Sequence, residues 1–76
     1  MSMRPDDIVN VLSRYLARHL SDEQLLAELE RRRIDDLPPD PAELASELVY
    51  ELRTPGHKRG FIEVLVRETL EAIALS

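Results

Sequence analysis

The residues best suited to acid–base or metal chemistry are two histidines and several carboxylates, and the chain has no cysteine. His19 and His57 lie 38 positions apart, and neither has a second histidine three or four residues away, as zinc-binding helices do. Asp6-Asp7 and Asp35-Asp36 are adjacent carboxylates. Acid–base catalysis needs a cleft that shifts pKa values, and a 76-residue chain has little interior to form one. We therefore predict no enzyme activity, no metal and no cofactor.

Two basic clusters could contact anions. Arg31-Arg32-Arg33 closes a predicted helix, where cations complement the negative end of the helix dipole. Gly56-His57-Lys58-Arg59-Gly60 stands where a helix is predicted to begin, although the dipole there favours acids. Exposed N–H groups and cations could bind a phosphate or a partner's carboxylate. Alternatively, Gly56 serves a turn, Gly60 allows close helix packing, and the cations pair with acids of the third helix.

Tyr50 and Val64 join this segment in the predicted site, because they lie off the apolar stripes of their helices. Single exposed aromatic or aliphatic residues are common, but they can also anchor an interface. The fourth predicted helix is apolar over about half of its circumference, and self-association or docking would cover the surplus. The predicted site for a partner or an anion consists of Gly56, His57, Lys58, Arg59, Tyr50 and Val64.

Four short segments are typical of helix starts and divide the chain into four helices. Ser21-Asp22-Glu23-Gln24 and Asp40-Pro41-Ala42-Glu43 fit the capping box, in which a cap oxygen and an acid or amide three residues later satisfy free backbone N–H groups. Arg4-Pro5-Asp6-Asp7, the Asp40 segment and Thr54-Pro55-Gly56 place proline at the first helical position. These starts predict a compact all-α four-helix bundle, or a three-helix core with a short second helix, in one domain of residues 1–76.

Apolar residues recur at spacings of three and four, which predicts the extent and the inward face of each helix. The helices should span about 5–19, 22–33, 41–53 and 57–75. The prolines of segment 34–40 interrupt the helices, and Ile34 and Leu37 should pack that linker onto the core. The inward faces are Ile8, Val11, Leu12, Tyr15, Leu16 and His19; Leu25, Leu26 and Leu29; Leu44, Ala45, Leu48, Val49 and Leu52; and Phe61, Ile62, Leu65, Val66, Leu70 and Ile73.

Composition narrows the choice of function. The net charge of −5 opposes general binding to nucleic acid, which depends on lysine and arginine contacts to phosphates. No segment approaches the apolar length of a membrane span, so we expect a cytoplasmic protein. Nine of the ten cations are arginine, which is typical of a GC-rich bacterial or phage genome.

These observations favour a small acidic interaction protein, an adaptor, inhibitor or accessory subunit that regulates a larger protein or self-associates. The fourth helix and the basic loop before it would form the contact surface. One alternative is a helix-turn-helix-like nucleic-acid binder that uses both basic clusters on phosphates. A further alternative is a carrier of a prosthetic group attached to Ser21, a residue that an N-cap role also explains.

Overall fold

A computed structural model describes the backbone of residues 5–76 and the side chains of residues 7–76. This part of the chain is all-α and contains no strand, which confirms the predicted four-helix architecture. Arg4 and the side chain of Asp6, which belong to the first predicted helix start, lie outside the described residues. The elements are α1 (Pro5–Leu16), α2 (Asp22–Glu30), a 3₁₀ turn (Ile34–Asp36), α3 (Pro39–Arg53) and α4 (Arg59–Leu75).

The helices pack in a ring, in which each helix contacts its sequence neighbours and α4 also contacts α1. The start of α3 and the end of α4 line one groove, so these two helices run antiparallel. The second helix lies across the end of α3. Its first residue, Asp22, contacts His57 just beyond α3, and its last residue, Glu30, pairs with Arg53 at the end of α3.

The apolar stripes predicted from the sequence form a single core. Tyr15, Leu48 and Ile62 are among its fully buried members. Leu37 is buried and Ile34 packs against the core, so the linker after α2 covers the interior as predicted. Three predicted inward residues lie outside this core, and one of them, Leu44, is partly buried and lines the groove between α3 and α4. Phe61 is 47 % exposed, and His19 is exposed beyond the end of α1.

The first helix ends three residues earlier than predicted, at Leu16. Arg18 adopts a positive φ of 66°, and the N–H groups of Arg18 and His19 donate to the carbonyls of Tyr15 and Arg14. This is the Schellman arrangement, which usually places glycine at the left-handed position. Because the chain reverses there, His19 cannot continue the apolar face of α1.

The second and third helix starts differ in outcome. At α2 both hydrogen bonds of the predicted capping box are present, between Ser21 and Gln24. The capping box at Asp40 is wrong, because α3 begins at Pro39 and has no side-chain cap. Proline suits the first helical position, so Pro39 takes it, and Asp40 becomes a first-turn acid that complements the helix dipole.

The fourth predicted helix start is wrong, because Thr54 ends α3. The residue before a proline is disfavoured in helical geometry, and Thr54 is accordingly extended, with φ −79° and ψ 124°. Its hydroxyl donates to the Tyr50 carbonyl at 2.9 Å. The chain then turns through Gly56, and α4 begins at Arg59 with Lys58 as an N-cap that makes no side-chain hydrogen bond.

The two glycines of the basic segment should respond oppositely to alanine. Gly56 has a φ of +79°, so Gly56→Ala should lower the free energy of unfolding by about 1 kcal/mol. Gly60 lies inside α4, and no neighbouring atom comes within 4 Å of the position that a Cβ would take, so it is not a close-packing residue. Gly60→Ala should raise the free energy of unfolding by about 0.5–1 kcal/mol. Urea unfolding followed by circular dichroism checks both, and a loss of stability in Gly60→Ala would contradict this account.

Candidate functional site

The Asp22 carboxylate is the centre of a polar cluster at one end of the bundle. Tyr15 donates its hydroxyl to Asp22 Oδ1 at 2.7 Å, and His57 Nε2 lies 2.8 Å from Oδ2. Arg59 Nη1 is 3.4 Å from Oδ1, and Arg59 Nε is 3.4 Å from Glu63 Oε1. We call these five residues the Asp22 junction. It joins the end of α1, the start of α2, the α3–α4 loop and the start of α4.

Burial and hydrogen bonding act on the junction's titratable groups. Burial raises the pKa of Tyr15 far above its usual value, and the bond to Asp22 adds to the effect. Burial opposes ionisation of Asp22, but hydrogen bonds from Tyr15 and His57 outweigh it and hold the carboxyl pKa below its usual value. The Thr54 carbonyl and then Asp22 raise the pKa of His57. The Arg59 guanidinium also lies 4.7 Å from the centre of the Tyr15 ring, a cation–π distance.

The Asp22 junction contains a histidine, a carboxylate and a tyrosine, which are residue types that also occur in catalytic sites. Their polar atoms, however, already form hydrogen bonds within the protein. His57 Nδ1 lies 3.0 Å from the Thr54 carbonyl, and Nε2 faces Asp22. A carbonyl and a carboxylate both accept, so both ring nitrogens donate and the doubly protonated imidazolium is favoured. In this form both ring N–H groups bond within the protein. This cluster therefore fastens helix ends together.

Protonation of His57 should give the protein a defined pH dependence. The pKa of His57 is raised above 6.5 on folding, so its stabilisation is complete below pH 6.5 and is lost as the pH rises through the folded value. The pKa of Asp22 is lowered from 3.8, so its contribution is present above that pH and is lost in acid. The free energy of unfolding should be highest between pH 3.8 and pH 6.5, where both contributions are present. His57→Gln should remove most of the decrease in the free energy of unfolding that follows as the pH rises above 6.5. His19→Gln changes a histidine at an exposed position and should leave this decrease in place. An unchanged decrease in His57→Gln would contradict the assignment.

Tyr15 and Asp22 should be energetically coupled. Tyr15→Phe and Asp22→Asn should each cost about 1.5–3 kcal/mol, as expected for a hydrogen bond to a charged group. The double variant should cost less than the sum, by about 1 kcal/mol, because the residues share one bond. The exposed Asp35 supplies the control, and Tyr15→Phe with Asp35→Asn should be additive. Full additivity of Tyr15→Phe and Asp22→Asn in denaturant unfolding would refute the coupling.

The structure places the six predicted site residues in different surroundings. His57 and Arg59 belong to the Asp22 junction, where their acidic partners are Asp22 of α2 and Glu63 of α4, whereas the pairing with acids of the third helix was wrong for these two residues. Gly56 and Lys58 form the exposed turn beside it. Tyr50 is 69 % exposed in a depression between the ends of α2 and α3, while Val64 is 46 % exposed on α4.

A second feature is the groove between the start of α3 and the end of α4. Its apolar lining includes Leu44, Ala72 and Leu75, and its acids are Asp40, Glu43 and Glu47. Among the described residues, none that lines the groove is a cation. We call this feature the α3–α4 groove.

One row of α4 side chains continues from the groove along the helix. Residues three and four apart share a helical face, so the positions that precede Ala72 and Leu75 on this flank are Glu68, Val64 and Phe61. Phe61 and Val64 are about half exposed, and Leu75 is 80 % exposed. These three apolar residues are named the α4 ridge.

The residues that organise the Asp22 junction and the surface shared by α3 and α4 were not predicted from the sequence. Asp22 was explained locally as part of the α2 capping segment, and its bond to His57 spans 35 positions. Phe61 was placed inward by helical periodicity. The row of acids on α3 was visible in the sequence at a spacing of four, at Glu43, Glu47 and Glu51. Its position beside α4 depends on the fold.

The basic cluster after α2 also contacts the chain's own acids. Arg31 and Arg32 both pair with Glu28, and the hydrogen bond from Arg32 holds the pKa of Glu28 below its usual value. Arg33 lies 3.9 Å from Asp36. Each of the three arginines therefore has an acidic neighbour, while the side chains of Arg31 and Arg33 remain largely exposed.

Comparisons with known proteins give no relative for this chain. No protein-family model matches the sequence, and neither a curated protein nor a solved structure matches the chain. Within the described residues, no group of three histidine or carboxylate side chains is placed to hold a metal ion. None of the helices in this part of the chain combines the length and apolarity needed to cross a bilayer.

Proposed function

We propose that this chain is an interaction module that docks onto a larger protein through the face shared by α3 and α4. The observation that carries the proposal is the α4 ridge of Phe61, Val64 and Leu75, which the bundle's own packing does not cover. Large apolar residues aligned on one face, beside a groove, are typical of interaction surfaces, whereas single scattered ones are not.

The fourth helix remains the proposed contact surface. The basic loop before it has a different role from the binding role that was predicted from the sequence. His57 and Arg59 contact Asp22 and Glu63, and a partner's anion would have to displace these carboxylates. The loop holds α4 in place, and the binding residues lie farther along the helix.

Charge favours a different protein over a second copy as the partner. A symmetric dimer would bring the same patch of both copies together. Glu43, Glu47 and Glu68 are exposed on or beside this face, so two copies would place like charges opposite each other, which is costly at an interface. The same acids oppose the phosphates of nucleic acid.

Photo-cross-linking from a single position tests the proposal. Benzoylphenylalanine replaces Val64 on the ridge or, as a matched control, Ala27, an exposed residue of α2. In lysate of the source organism, we expect a discrete cross-linked product from position 64 and none from position 27. The reason is that only the first probe lies on the docking face.

Competition shows whether the product reports specific docking. Excess unlabelled protein should abolish it, whereas excess Phe61→Ser/Leu75→Ser protein should not, because two ridge side chains are missing. Circular dichroism verifies that the competitor variant is folded. Equal products from positions 64 and 27, or equal competition by both proteins, would reject the proposed docking face.

A further inference from the structure

We infer that the α3–α4 groove receives a basic amphipathic helix of the partner protein. This inference rests on the proposed function and specifies the partner's chemistry. It depends on the juxtaposition, in one groove, of apolar side chains and carboxylates that form no ion pair with any side chain from residue 7 onward.

The charge of the groove favours a basic ligand. Asp40, Glu43 and Glu47 are exposed, and in the described ion pairs, which cover side chains from residue 7 onward, none of the three contacts a cation. Like charges three or four residues apart on a helix repel each other. Lysine or arginine side chains of a partner would relieve this repulsion, so the groove selects a basic ligand.

The apolar lining of the groove favours a ligand with an apolar face. Leu44 of α3 and Ala72 and Leu75 of α4 line the same groove as the acids of α3. A basic ligand that also covers these residues needs apolar side chains on one face and cations beside them. An amphipathic helix provides this arrangement, with contacts at positions i, i+3, i+4 and i+7.

An added strand does not fit this face. Strand addition requires a sheet edge, and in the described part of the chain this face is formed by the helices α3 and α4. The rise of about 1.5 Å per residue gives the row from Phe61 to Leu75 a length of about 21 Å. A helix of about 14–18 residues matches it.

Fluorescence anisotropy with a designed probe tests the inference. The probe is a fluorescein-labelled 18-residue peptide of leucine and lysine with helical spacing of the leucines. One control peptide has the same composition in an order that destroys the apolar face, and another has glutamate in place of lysine. We expect saturable 1:1 binding of the first peptide alone, weakened by added salt because the charges at the groove rim are exposed.

Matched variants locate the binding. Glu43→Gln/Glu47→Gln and Leu75→Ser should each weaken binding about tenfold. Glu23→Gln/Asp35→Asn removes the same charge from exposed positions outside the groove and should have less than a twofold effect. Equal losses from the two charge-removing pairs, or equal binding of the scrambled peptide, would overturn the inference. So would a protein that light scattering finds dimeric, with Leu75→Ser monomeric.

The results also separate this inference from the proposed function. A specific cross-link from position 64 without peptide binding would overturn the basic-helix assignment alone. Absence of both the cross-link and peptide binding would overturn both. Peptide binding that the groove variants abolish supports the inference, whatever partner the lysate contains.

Discussion

The geometry of one end of this bundle depends on a single carboxylate. Asp22 is about three-quarters buried and accepts hydrogen bonds from Tyr15, His57 and Arg59. Each donor comes from a different segment, so the position of Asp22 fixes the end of α1, the start of α2, the α3–α4 loop and the start of α4 relative to one another. Without it, a buried hydroxyl and two cations would lose their common acceptor, and leaving such groups unpaired is costly. The same contacts pair His57 and Arg59 with carboxylates of the chain, and these are two of the cations that would otherwise suit the loop for anion binding.

Much of the fold was predictable because its determinants are local. The apolar spacing and the Ser21 capping box encode helices within a few residues, and both were confirmed. Local signals failed where prolines allowed more than one reading. Pro39 and Pro41 both suit a helix start, and Thr54-Pro55 can end one helix as well as begin another. Phe61 lies in the first turn of α4, where periodicity gives a direction but not the amount of neighbouring structure available to cover it.

The candidate site was less predictable, because it is built from pairs distant in sequence. The bond between Asp22 and His57 has no counterpart in any short pattern, since both residues had sufficient local explanations as a first-turn acid and a loop residue. The groove presents the same difficulty. Glu43 and Glu47 resemble the solvated face of an ordinary helix until α4 places Ala72 and Leu75 beside them. The sequence therefore contains the chemistry of both features, while the antiparallel pairing of α3 and α4 creates the surface.

The crossing of α2 over the end of α3 makes the two ends of the bundle unequal. Within the described residues, the ion pairs that join different helices, Arg53 with Glu30 and the contacts of Asp22, lie at or near the end of α3. At the opposite end, α3 and α4 meet through apolar contacts and an acidic rim. Local opening follows the weaker contacts, so the last turns of α4 should fray before its first turns do. A ligand in the groove would therefore stabilise the end of the bundle that opens more easily. Its binding would reduce the difference in local stability between the two ends.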